Sequence, residues 1–267
     1  MILVTGATGN VGSELVRALA EAGAPVRAFS RSGATAELPE GAEGVSGDLN
    51  SAESVAAALT GVRAVFLMPG YQQARGSLAA MREAGVERVV MLSGGSVATG
   101  DMSNAVTRYM TEAESAVRES GLPWTFLRPY SFMSNTLEWA EDLRTGNNTV
   151  RAPFAGVPVA TIDPYDIAAV AAVALTSSGH KGKAYALSGP EALLPADRAR
   201  ILGAALGREL HFVALSDEEA RREMEARMPV AYVDAFFSFY VDGTLDESQV
   251  LPTVGDLTGR PPRTFAQ

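Results

Sequence analysis

The amino-acid sequence predicts an α/β protein with a doubly wound parallel sheet. From residue 1 to about residue 128, short apolar runs alternate with segments of helical spacing, which is the pattern of strands joined by crossover helices. Residues 64–68 are wholly apolar, and such a run is typical of a parallel strand that is buried on both faces. A glycine-rich turn follows the first apolar run. A length of 267 residues is sufficient for one large or two small domains.

The first strand, turn and helix predict a nucleotide-binding site. Residues 2–4 are apolar, glycines recur at positions 6, 9 and 12, and the apolar residues from position 10 onward have helical spacing. Glycine tolerates positive φ and allows backbone N–H groups to approach a ligand closely, and a helix N-terminus attracts a pyrophosphate. This arrangement is typical of dinucleotide binding. The cofactor contacts predicted in this segment are Gly6, Thr8, Gly9, Asn10, Val11 and Gly12.

The end of the second strand, predicted over 24–30, indicates which dinucleotide is bound. A nucleotide-binding fold contacts the adenosine ribose here, and an acidic residue would accept hydrogen bonds from the 2′-hydroxyl of NAD. This sequence has Arg31 instead, between Ser30 and Ser32, and a guanidinium matches a 2′-phosphate. The alternative is a solvated loop arginine. We therefore predict NADP(H) as the cofactor.

Two further loops are predicted to contact the cofactor. Asp48 follows a weak third strand over 44–47, where its carboxylate is placed to accept a hydrogen bond from the adenine amino group. The alternative is that Asp48 caps the helix predicted over 52–59. The loop after the fourth strand is predicted to close over the cofactor. The contacts predicted in these two loops are Asp48, Leu49, Met68 and Pro69.

The fifth strand, predicted over 88–92, and the sixth, over 124–127, end in loops that are expected to face the nicotinamide. Strand ends on this side of a doubly wound sheet face the ligand crevice. Ser93 and Ser96 are candidates for polar contacts, although serines in a glycine-rich loop also serve turn geometry. The helices that precede these strands are predicted over 72–84 and 104–119. The turn after the sixth strand adds Pro129, Tyr130 and Phe132 to the predicted cofactor contacts.

Beyond residue 130 the alternation is less regular. The predicted elements are a helix over 133–145, a turn over 145–148, a buried helix from 164 to about 176, a strand over 183–187, a helix over 195–206, a strand over 211–214 and a capped helix after Ser216. Asp163 is expected to cap the buried helix and Asp166 lies in its first turn, so both are interpreted as structural. Methionine and aromatic residues are dense over 224–240, which favours either core or a pocket for an apolar ligand.

The composition excludes several functional classes. A net charge of −9 disfavours direct nucleic-acid binding, because this requires a basic surface. The chain has no cysteine and only the histidines His180 and His211, to which we assign no role, so no metal site is predicted. The sequence has no signal-peptide pattern and no apolar run of about 18 residues. The expected setting is cytoplasmic, without membrane contact.

These residues resemble the NmrA-like group within the atypical short-chain dehydrogenase/reductase superfamily. The resemblance rests on TGATGNVG at 5–12, the arginine after the second strand, GDL at 47–49, the strand that ends in Ser93, and ESGLPWTFLRPYSFMSN at 119–135. It implies a Rossmann domain over 1–130, to which 155–188 returns, and a smaller, mostly C-terminal α/β substrate lobe over 131–154 and 189–267. Members of the group include NADPH-dependent quinone reductases and redox-sensing regulators without known turnover.

One departure from the superfamily bears on the chemistry. Short-chain reductases use a tyrosine four residues before a lysine, on the helix after the fifth strand, to protonate the substrate oxygen. The corresponding positions here hold Val106 and Met110, and the only lysines of the chain are at 181 and 183. Tyr109 is close by, but one helical residue changes the side-chain direction by about 100°. The candidate catalytic residues are therefore Ser93, Tyr109 and Tyr130.

Without that pair, we expect a reaction that needs little acid catalysis. The sequence predicts an NADP(H)-dependent oxidoreductase that reduces a quinone-like or other flat apolar carbonyl or enone substrate, whose negative charge is delocalised as hydride arrives. The alternative from another class is a non-catalytic NADP(H)-binding redox sensor, which needs no proton donor. An epimerase or dehydratase of the extended short-chain class depends on the missing pair. Whether the chain forms a homodimer or binds a partner protein stays open.

Overall fold

The computed structural model describes residues 1–32, 38–71, 73–145 and 148–267, apart from the side chain of Asp142. Within these ranges, seven parallel strands form one sheet and two more form a separate parallel pair. The strands are β1 (Ile2–Thr5), β2 (Val26–Ser30), β3 (Ala42–Ser46), β4 (Ala64–Leu67), β5 (Arg88–Leu92), β6 (Trp124–Pro129), β7 (Thr149–Ala152), β8 (Lys183–Leu187) and β9 (His211–Ala214). The main sheet has the order β3-β2-β1-β4-β5-β6-β8. The predicted doubly wound fold is confirmed, and its topological switch point lies between β1 and β4.

Helices cover both faces of the main sheet. The α-helices of the described residues are α1 (Asn10–Glu21), α2 (Ala52–Ala58), α3 (Ala74–Glu83), α4 (Ala105–Glu119), α5 (Ala140–Arg144), α6 (Pro164–Thr176), α7 (Pro195–Ala205), α8 (Asp217–Glu225), α9 (Val230–Tyr240) and α10 (Thr253–Thr258). On one face Leu15 of α1 and Ile167 of α6 share a core with β1, and on the other Leu78 of α3 and Val117 of α4 share a second core. All four residues of β4 are buried between these layers, which explains its wholly apolar sequence. None of the described helices combines the length and the apolar character that crossing a membrane requires.

Helix starts follow the capping signals of the sequence. Asp163 caps α6, because its carboxylate accepts a hydrogen bond from the N–H of Tyr165 at 2.9 Å. Ser216 and Glu219 form a capping box at α8: the Ser216 hydroxyl accepts from the Glu219 N–H at 3.3 Å, and the Glu219 carboxylate accepts from the Ser216 N–H at 3.0 Å. Each cap satisfies an N–H group that has no partner within its helix.

The region after β6 differs from the sequence-based expectation. Instead of one helix over 133–145, a 3-10 helix (Met133–Trp139) precedes the short α5. The Thr136 hydroxyl donates to the Met133 carbonyl at 2.6 Å, and such local side-chain bonds compete with α-helical backbone bonds. The sequence does not predict β7, which pairs with β9 so that Val150 lies opposite Phe212. Residues 146 and 147 of the expected turn over 145–148, and residue 72 of the expected helix over 72–84, lie outside the described residues.

The C-terminal segment returns to the sheet domain. Val254 of α10 is fully buried in the core that α1 and α6 share. Asp166 of α6 is also fully buried, and its carboxylate accepts hydrogen bonds from Arg260 Nη1 and from the N–H of Arg263, both at 2.7 Å. The sequence assigns 189–267 to the substrate lobe, whereas the structure places α10 against α6.

Candidate functional site

The glycine turn after β1 has a backbone conformation that only glycine adopts readily. Gly6 has a φ of +62°, and the N–H of Gly9 donates to the Gly6 carbonyl at 2.9 Å. A Cβ on Gly12 would lie 2.1 Å from the Gly6 oxygen, a distance at which real atoms overlap. The first turn of α1 therefore rests directly on the glycine turn, and Gly12 permits this contact.

The N-terminus of α1 is open to a ligand. Gly9 is the N-cap, and within the part of the chain that the structure describes, no side-chain cap bonds the first N–H groups of the helix. Thr8, Gly9 and Asn10 are exposed. A Cβ on Gly9 would meet only the Gly6 oxygen, at 3.3 Å. These features fit the pyrophosphate of a dinucleotide, which binds backbone N–H donors at the positive end of a helix dipole.

The loop after β4 lies against the glycine turn. The hydroxyl of Thr5, at the end of β1, accepts a hydrogen bond from the Met68 N–H at 2.9 Å. The Met68 side chain packs over Gly6 so closely that a Cβ there would lie 2.8 Å from the Met68 Cγ. Met68 and Pro69 also line one narrow apolar cleft with Leu49, from the loop after β3. The structure thus brings these three sequence-predicted residues together.

Arg31 lies directly after β2, and its charge acts on Tyr71 in the loop after β4. Its side chain is exposed, and its carbonyl accepts a hydrogen bond from the Ser46 hydroxyl at 3.1 Å. Burial, followed by Tyr109, raises the pKa of the Tyr71 phenol; Asp48 adds to this rise and Arg31 opposes it. The hydrogen bond between Arg31 and Ser46 joins the ends of β2 and β3, and Leu49 after β3 lines one cleft with Met68 after β4. The loops after β2, β3 and β4 therefore lie side by side.

Asp48 is held by its own loop. Its carboxylate accepts a hydrogen bond from the Asn50 N–H at 2.9 Å, and its own N–H donates to the Ser54 hydroxyl at 3.0 Å. The cap of α2 is Ser51, whose hydroxyl accepts from the Ser54 N–H at 3.1 Å. The structure thereby excludes Asp48 as the cap of α2. Its contact with adenine stays a prediction.

Met110 of α4 occupies the position of the superfamily's catalytic lysine, and Tyr109 precedes it in the same helix. The Tyr109 hydroxyl lies so close over Gly70 that a Cβ there would fall 1.5 Å from the hydroxyl oxygen. Burial, and after it Tyr232, raises the pKa of Tyr109. Met110 packs against Gly94, where an added Cβ would lie 3.5 Å from the Met110 Cγ. The phenol therefore reaches the loop after β4, and an uncharged side chain lies beside the end of β5.

Ser93 follows β5 as predicted, but its hydroxyl is used inside the protein. It is buried and donates to Glu114 Oε1 at 2.8 Å. The fully buried Glu114 carboxylate also accepts hydrogen bonds of 2.8 and 2.7 Å from Arg128 and lies 3.0 Å from Arg118. Burial alone would raise the pKa of Glu114, but these hydrogen bonds and charges lower it below its usual value. Ser93 serves this ion cluster, and its role beside the nicotinamide stays a prediction.

Tyr130 joins the ends of β5, β6 and β8. Its N–H donates to the Leu187 carbonyl at 2.9 Å, and its ring packs over Gly95, where a Cβ would lie 3.1 Å from Cδ1. Burial, followed by the neighbouring Glu247 and Asp246, raises the pKa of Tyr130. The ring thus lies between the predicted nicotinamide loops and the C-terminal part of the chain.

The remaining residues predicted here are Pro129, Phe132 and Ser96, whose contacts with a cofactor or substrate stay a prediction. Pro129 is buried at the end of β6, and Phe132 packs on the core between the sheet and α6. The Ser96 hydroxyl is buried and has no hydrogen-bond partner among the described residues. Buried polar atoms of this kind are uncommon in native proteins.

Sequence reasoning missed Glu247, which lies in the segment after α9. It is only 7% exposed, and the Tyr240 hydroxyl donates to its Oε2 at 3.0 Å. Burial raises the pKa of Glu247 to about 7, although hydrogen bonds from Tyr240 and the Ser131 backbone oppose the rise. The sequence around it, LDESQV, is polar and resembles that of any exposed loop. Nothing in this pattern signals a buried carboxyl.

Comparison with known proteins identifies the family. Residues 6–178, well over half of the chain, match a family described as NAD(P)H-binding. The chain belongs to this family. The matched range begins in the glycine turn and ends just after α6, so it includes every loop of the crevice described above.

Two relatives are similar to this chain over almost their whole length. The chain is 44% identical to (4-alkanoyl-5-oxo-2,5-dihydrofuran-3-yl)methyl phosphate reductase of Streptomyces griseus subsp. griseus, over 99% of this chain and 95% of the relative. It is 42% identical to NAD(P)H azoreductase of Xenophilus azovorans, over 100% of this chain and 96% of the relative. In agreement with its relatives, this family member is an NAD(P)H-dependent oxidoreductase.

A solved structure of similar fold is the NADPH-dependent quinone oxidoreductase QOR2 of Escherichia coli, complexed with NADPH. Its TM-score is 0.79 at 24% identity, over 100% of this chain and 97% of that chain. This likeness extends the shared fold beyond the matched family range to the whole chain, including the region after α6.

Proposed function

We propose that the protein is an NADPH-dependent reductase of flat, conjugated carbonyl substrates, such as a quinone or an enone, and that it works without a tyrosine and lysine pair. The observation that carries this proposal is the packing of Met110 against Gly94, beside the end of β5. No ammonium group is present there to lower the pKa of a phenol, and burial raises the pKa of Tyr109 instead. A phenol of raised pKa is a weaker acid, so this site favours substrates that need less acid catalysis.

The names of the relatives support a conjugated hydride acceptor. The Streptomyces griseus relative is named for a dihydrofuran ring with an oxo and an alkanoyl group, and the Xenophilus azovorans relative for azo compounds. In both, hydride would attack an unsaturated bond. When such a bond is conjugated with a carbonyl group, the negative charge spreads onto that group as it forms. The demand for a strong acid at the reacting centre is therefore smaller than for an isolated ketone.

We assign the cofactor as NADPH rather than NADH because of Arg31. The residue lies after β2, where the adenosine ribose of a dinucleotide is expected, and its exposed guanidinium is available for a 2′-phosphate. The carboxylate that would bind the 2′-hydroxyl of NADH is absent from positions 30–32.

An aromatic cluster supports a flat substrate. The ring of Phe154 lies 5.1 Å from that of Tyr240 and 5.3 Å from that of Phe237, and the rings of Phe236 and Tyr240 are parallel at 6.4 Å. We infer that residues 131–154 and 189–250 form the substrate lobe, with the partly exposed rings of Phe154 and Phe236 on its binding surface and the buried Phe237 beneath them. Aromatic side chains bind flat ligands by stacking and by burial of apolar area.

The parts of the crevice then have separate tasks. Bound NADPH supplies a hydride. The N-terminus of α1 holds the pyrophosphate, Arg31 the 2′-phosphate, and Met68 with Pro69 limits the position of the cofactor. Tyr130 orients the substrate against it. Proximity and orientation would provide most of the rate acceleration, because hydride transfer in general requires reacting atoms about 3–3.5 Å apart, and a crevice that holds both partners removes the need for diffusion.

The test is NADPH oxidation with matched pairs of substrates, followed by the absorbance of the reduced cofactor. Each conjugated enone is paired with its saturated ketone, and quinones and azo compounds complete the panel. We expect turnover of the conjugated members and at least about tenfold slower reduction of the saturated partners, which corresponds to about 1.4 kcal/mol of barrier. Tight NADPH binding without turnover of any compound would instead support the redox-sensor alternative.

A further inference from the structure

The segment after α9 crosses the carboxyl ends of the strands that carry the site. The carbonyl of Glu247 accepts a hydrogen bond from the Ala160 N–H at 2.7 Å, and the N–H of Leu251 donates to the Ser188 hydroxyl at 2.8 Å. Ser188 directly follows β8, the neighbour of β6 in the sheet. The backbone of the segment is therefore fixed at this edge, and the Glu247 side chain is held beside the turn that follows β6.

A row of polar groups joins the Glu247 carboxyl to the surface of that turn. The Tyr240 hydroxyl donates to Glu247 Oε2 at 3.0 Å. The Ser131 side chain lies close enough to the Tyr240 hydroxyl to lower the pKa of Tyr240, and the Ser131 backbone lies close enough to the Glu247 carboxylate to oppose the rise of its pKa. Asn135 Nδ2 donates to Ser131 Oγ at 3.1 Å, and the Asn135 side chain is exposed. These groups therefore connect a buried acid to the predicted substrate region.

The charges around Glu247 favour its protonated form. Among the described residues, no lysine, arginine or histidine lies within ion-pair distance of its carboxylate. The titratable groups that face it are Tyr240 of α9, Tyr130 of the turn after β6, and Asp246 beside it in sequence; Arg198 of α7 faces Tyr240. A buried carboxyl without a cation loses solvation when it ionises, so its pKa rises to about 7. Burial also raises the pKa of Tyr240, which therefore stays a phenol at neutral pH.

We propose that Glu247, Tyr240 and Ser131 form a proton relay that supplies the proton of the reduction. This inference rests on the proposed function. Hydride adds to the electrophilic carbon of the conjugated substrate, and the electron pair of the broken π bond moves to the carbonyl oxygen. Ser131 Oγ gives its proton to this oxygen and takes one from the Tyr240 hydroxyl, which takes one from Glu247. Glu247 is left as a carboxylate and regains a proton from water, so each turnover consumes one hydride and one proton.

The pattern of donors and acceptors allows this transfer in both states of Glu247. While Glu247 is protonated, its O–H can donate to the Tyr240 oxygen, whose own O–H then points to Ser131 Oγ. After transfer, the Tyr240 O–H donates to the carboxylate, which is the arrangement at 3.0 Å in the structure. Asn135 donates to Ser131 Oγ throughout, which leaves the Ser131 proton free for the substrate. Hydroxyl groups both donate and accept, so the relay needs rotation of two O–H bonds and a close approach of Ser131 Oγ to the Tyr240 hydroxyl.

The first test compares Glu247→Gln with the wild type across pH. Gln keeps the size of Glu and an acceptor for Tyr240, but it has no acidic proton. We expect kcat of Glu247→Gln to be about 10²-fold below wild type near pH 6, the lower end of the usual contribution of acid catalysis. The two should converge at about pH 9, because wild-type Glu247 is then ionised and has no proton to give. Glu209→Gln removes an exposed acid of the same lobe and should reproduce the wild-type profile.

A loss of equal size at every pH would show a purely structural role for Glu247 and overturn the relay. If kcat of Glu247→Gln equals that of the wild type at every pH, the relay is overturned as well. If Glu247→Gln does not fold, Tyr240→Phe decides the question, since it keeps the packing of the ring and removes only the bridging hydroxyl. Tyr240→Phe should also remove the fall in kcat that ionisation of Glu247 causes in the wild type as pH rises.

The second measurement needs no turnover. Infrared difference spectra of the cofactor-free protein should show a protonated carboxyl that titrates near pH 7 in the wild type and is missing in Glu247→Gln. Absence of this signal in the wild type would refute the relay whether or not the protein is a reductase. If the signal is present but no substrate is turned over, the proposed function fails instead, so the two failures are distinguishable.

Discussion

Gly9 and Gly12 belong to one sequence repeat, but the structure gives them different tasks. A side chain at Gly12 would overlap the Gly6 oxygen, so this residue is needed for folding. A side chain at Gly9 would meet only that oxygen at 3.3 Å, so this residue leaves space for a ligand. We expect Gly9→Val to fold and to bind NADPH at least about tenfold more weakly, a loss of about 1.4 kcal/mol. Calorimetric titration measures this, and circular dichroism checks the fold.

The matched control for Gly9→Val is Gly156→Val. Gly156 has an ordinary φ, and no atom lies within 4 Å of an added Cβ. It should bind NADPH as the wild type does. Unchanged NADPH affinity in Gly9→Val itself would mean that the pyrophosphate does not bind at the N-terminus of α1.

Arg31 is expected to choose between the two dinucleotides. Arg31→Ala should weaken NADPH binding by about 1.5–3 kcal/mol, the range for hydrogen bonds to a charged group, and leave NADH binding nearly unchanged. The two dissociation constants, measured by calorimetry, give the selectivity directly. Arg17→Ala is the control, because it removes an equal charge from α1, where Arg17 pairs with Glu14. Equal losses for NADPH and NADH in Arg31→Ala would refute the assignment of the 2′-phosphate.

Tyr109 tests whether a phenol is the acid. Its hydroxyl lies over Gly70 in the crevice, but burial raises its pKa and no cation opposes this among the causes of the shift. We expect Tyr109→Phe to lower kcat less than about tenfold, or by under about 1.4 kcal/mol of barrier. Steady-state kinetics with an enone measures the change. A thousandfold loss with intact NADPH affinity would restore a conventional tyrosine acid in a displaced position.

At the scale of elements, the main sheet could be predicted because each of its central strands has a clear signal in the sequence. A strand buried on both faces needs a continuous apolar run, as in β4, and the chain supplies one between helices of regular spacing. β7 is different. It has four residues, and its half-polar sequence becomes a strand only because β9, which the sequence does predict over 211–214, pairs with it. Such pairing depends on tertiary contacts that a local pattern does not contain.

The position of α10 is likewise set by contacts far apart in sequence. Asp166 binds Arg260 and the backbone of Arg263, and both guanidinium groups lie over the ring of Tyr165, at 4.5 and 3.5 Å from its centre. In the sequence, Asp166 looks like an ordinary acid in the first turn of a helix. That interpretation as a structural residue agrees with its contacts, but its partners lie nearly a hundred residues later and could not be inferred.

Asp166→Asn should therefore destabilise the protein by about 2–4 kcal/mol, because it removes the charge that pairs with a partly buried arginine. Asn keeps one acceptor oxygen, so the fold itself should persist. Urea unfolding at neutral pH measures the free energy. Asp256→Asn, at an exposed position of α10, should change it by no more than about 0.5 kcal/mol. If the two substitutions change the free energy of unfolding equally, the contacts of Asp166 with Arg260 and Arg263 stabilise the protein no more than an exposed acid does.

At the scale of the whole molecule, the site is built along one edge of the sheet. The loops after β1, β2, β3 and β4 form the predicted cofactor crevice, and those after β5, β6 and β8 form the region beside it. Because parallel strands end at the same edge, the sequence could predict which loops meet, and hence that Gly9, Arg31 and Met68 lie along one edge of the sheet. It could not predict Glu247. That residue reaches the edge through a segment without regular structure, and the topology of the sheet does not constrain such a segment.

The buried Glu247 should also make the stability of the whole protein depend on pH. Its pKa is about 7 in the folded protein, against an ordinary value of 4.5. Between these values the folded state keeps a proton that the unfolded chain releases, so the free energy of unfolding falls as pH rises. The contribution of this group is a loss of roughly 3 kcal/mol from about pH 4.5 to about pH 7, with little change above.

Many other groups titrate as well, so the informative quantity is a difference between proteins. We expect the free energy of unfolding of the wild type, minus that of Glu247→Gln, to decrease by roughly 3 kcal/mol from about pH 5 to about pH 8. The same difference for Glu209→Gln should stay nearly constant, because that acid is exposed. Urea unfolding at a series of pH values provides both curves. A flat curve for Glu247→Gln would mean that the carboxyl is already ionised in the folded protein near pH 5, and such a group would have no proton to pass to Tyr240.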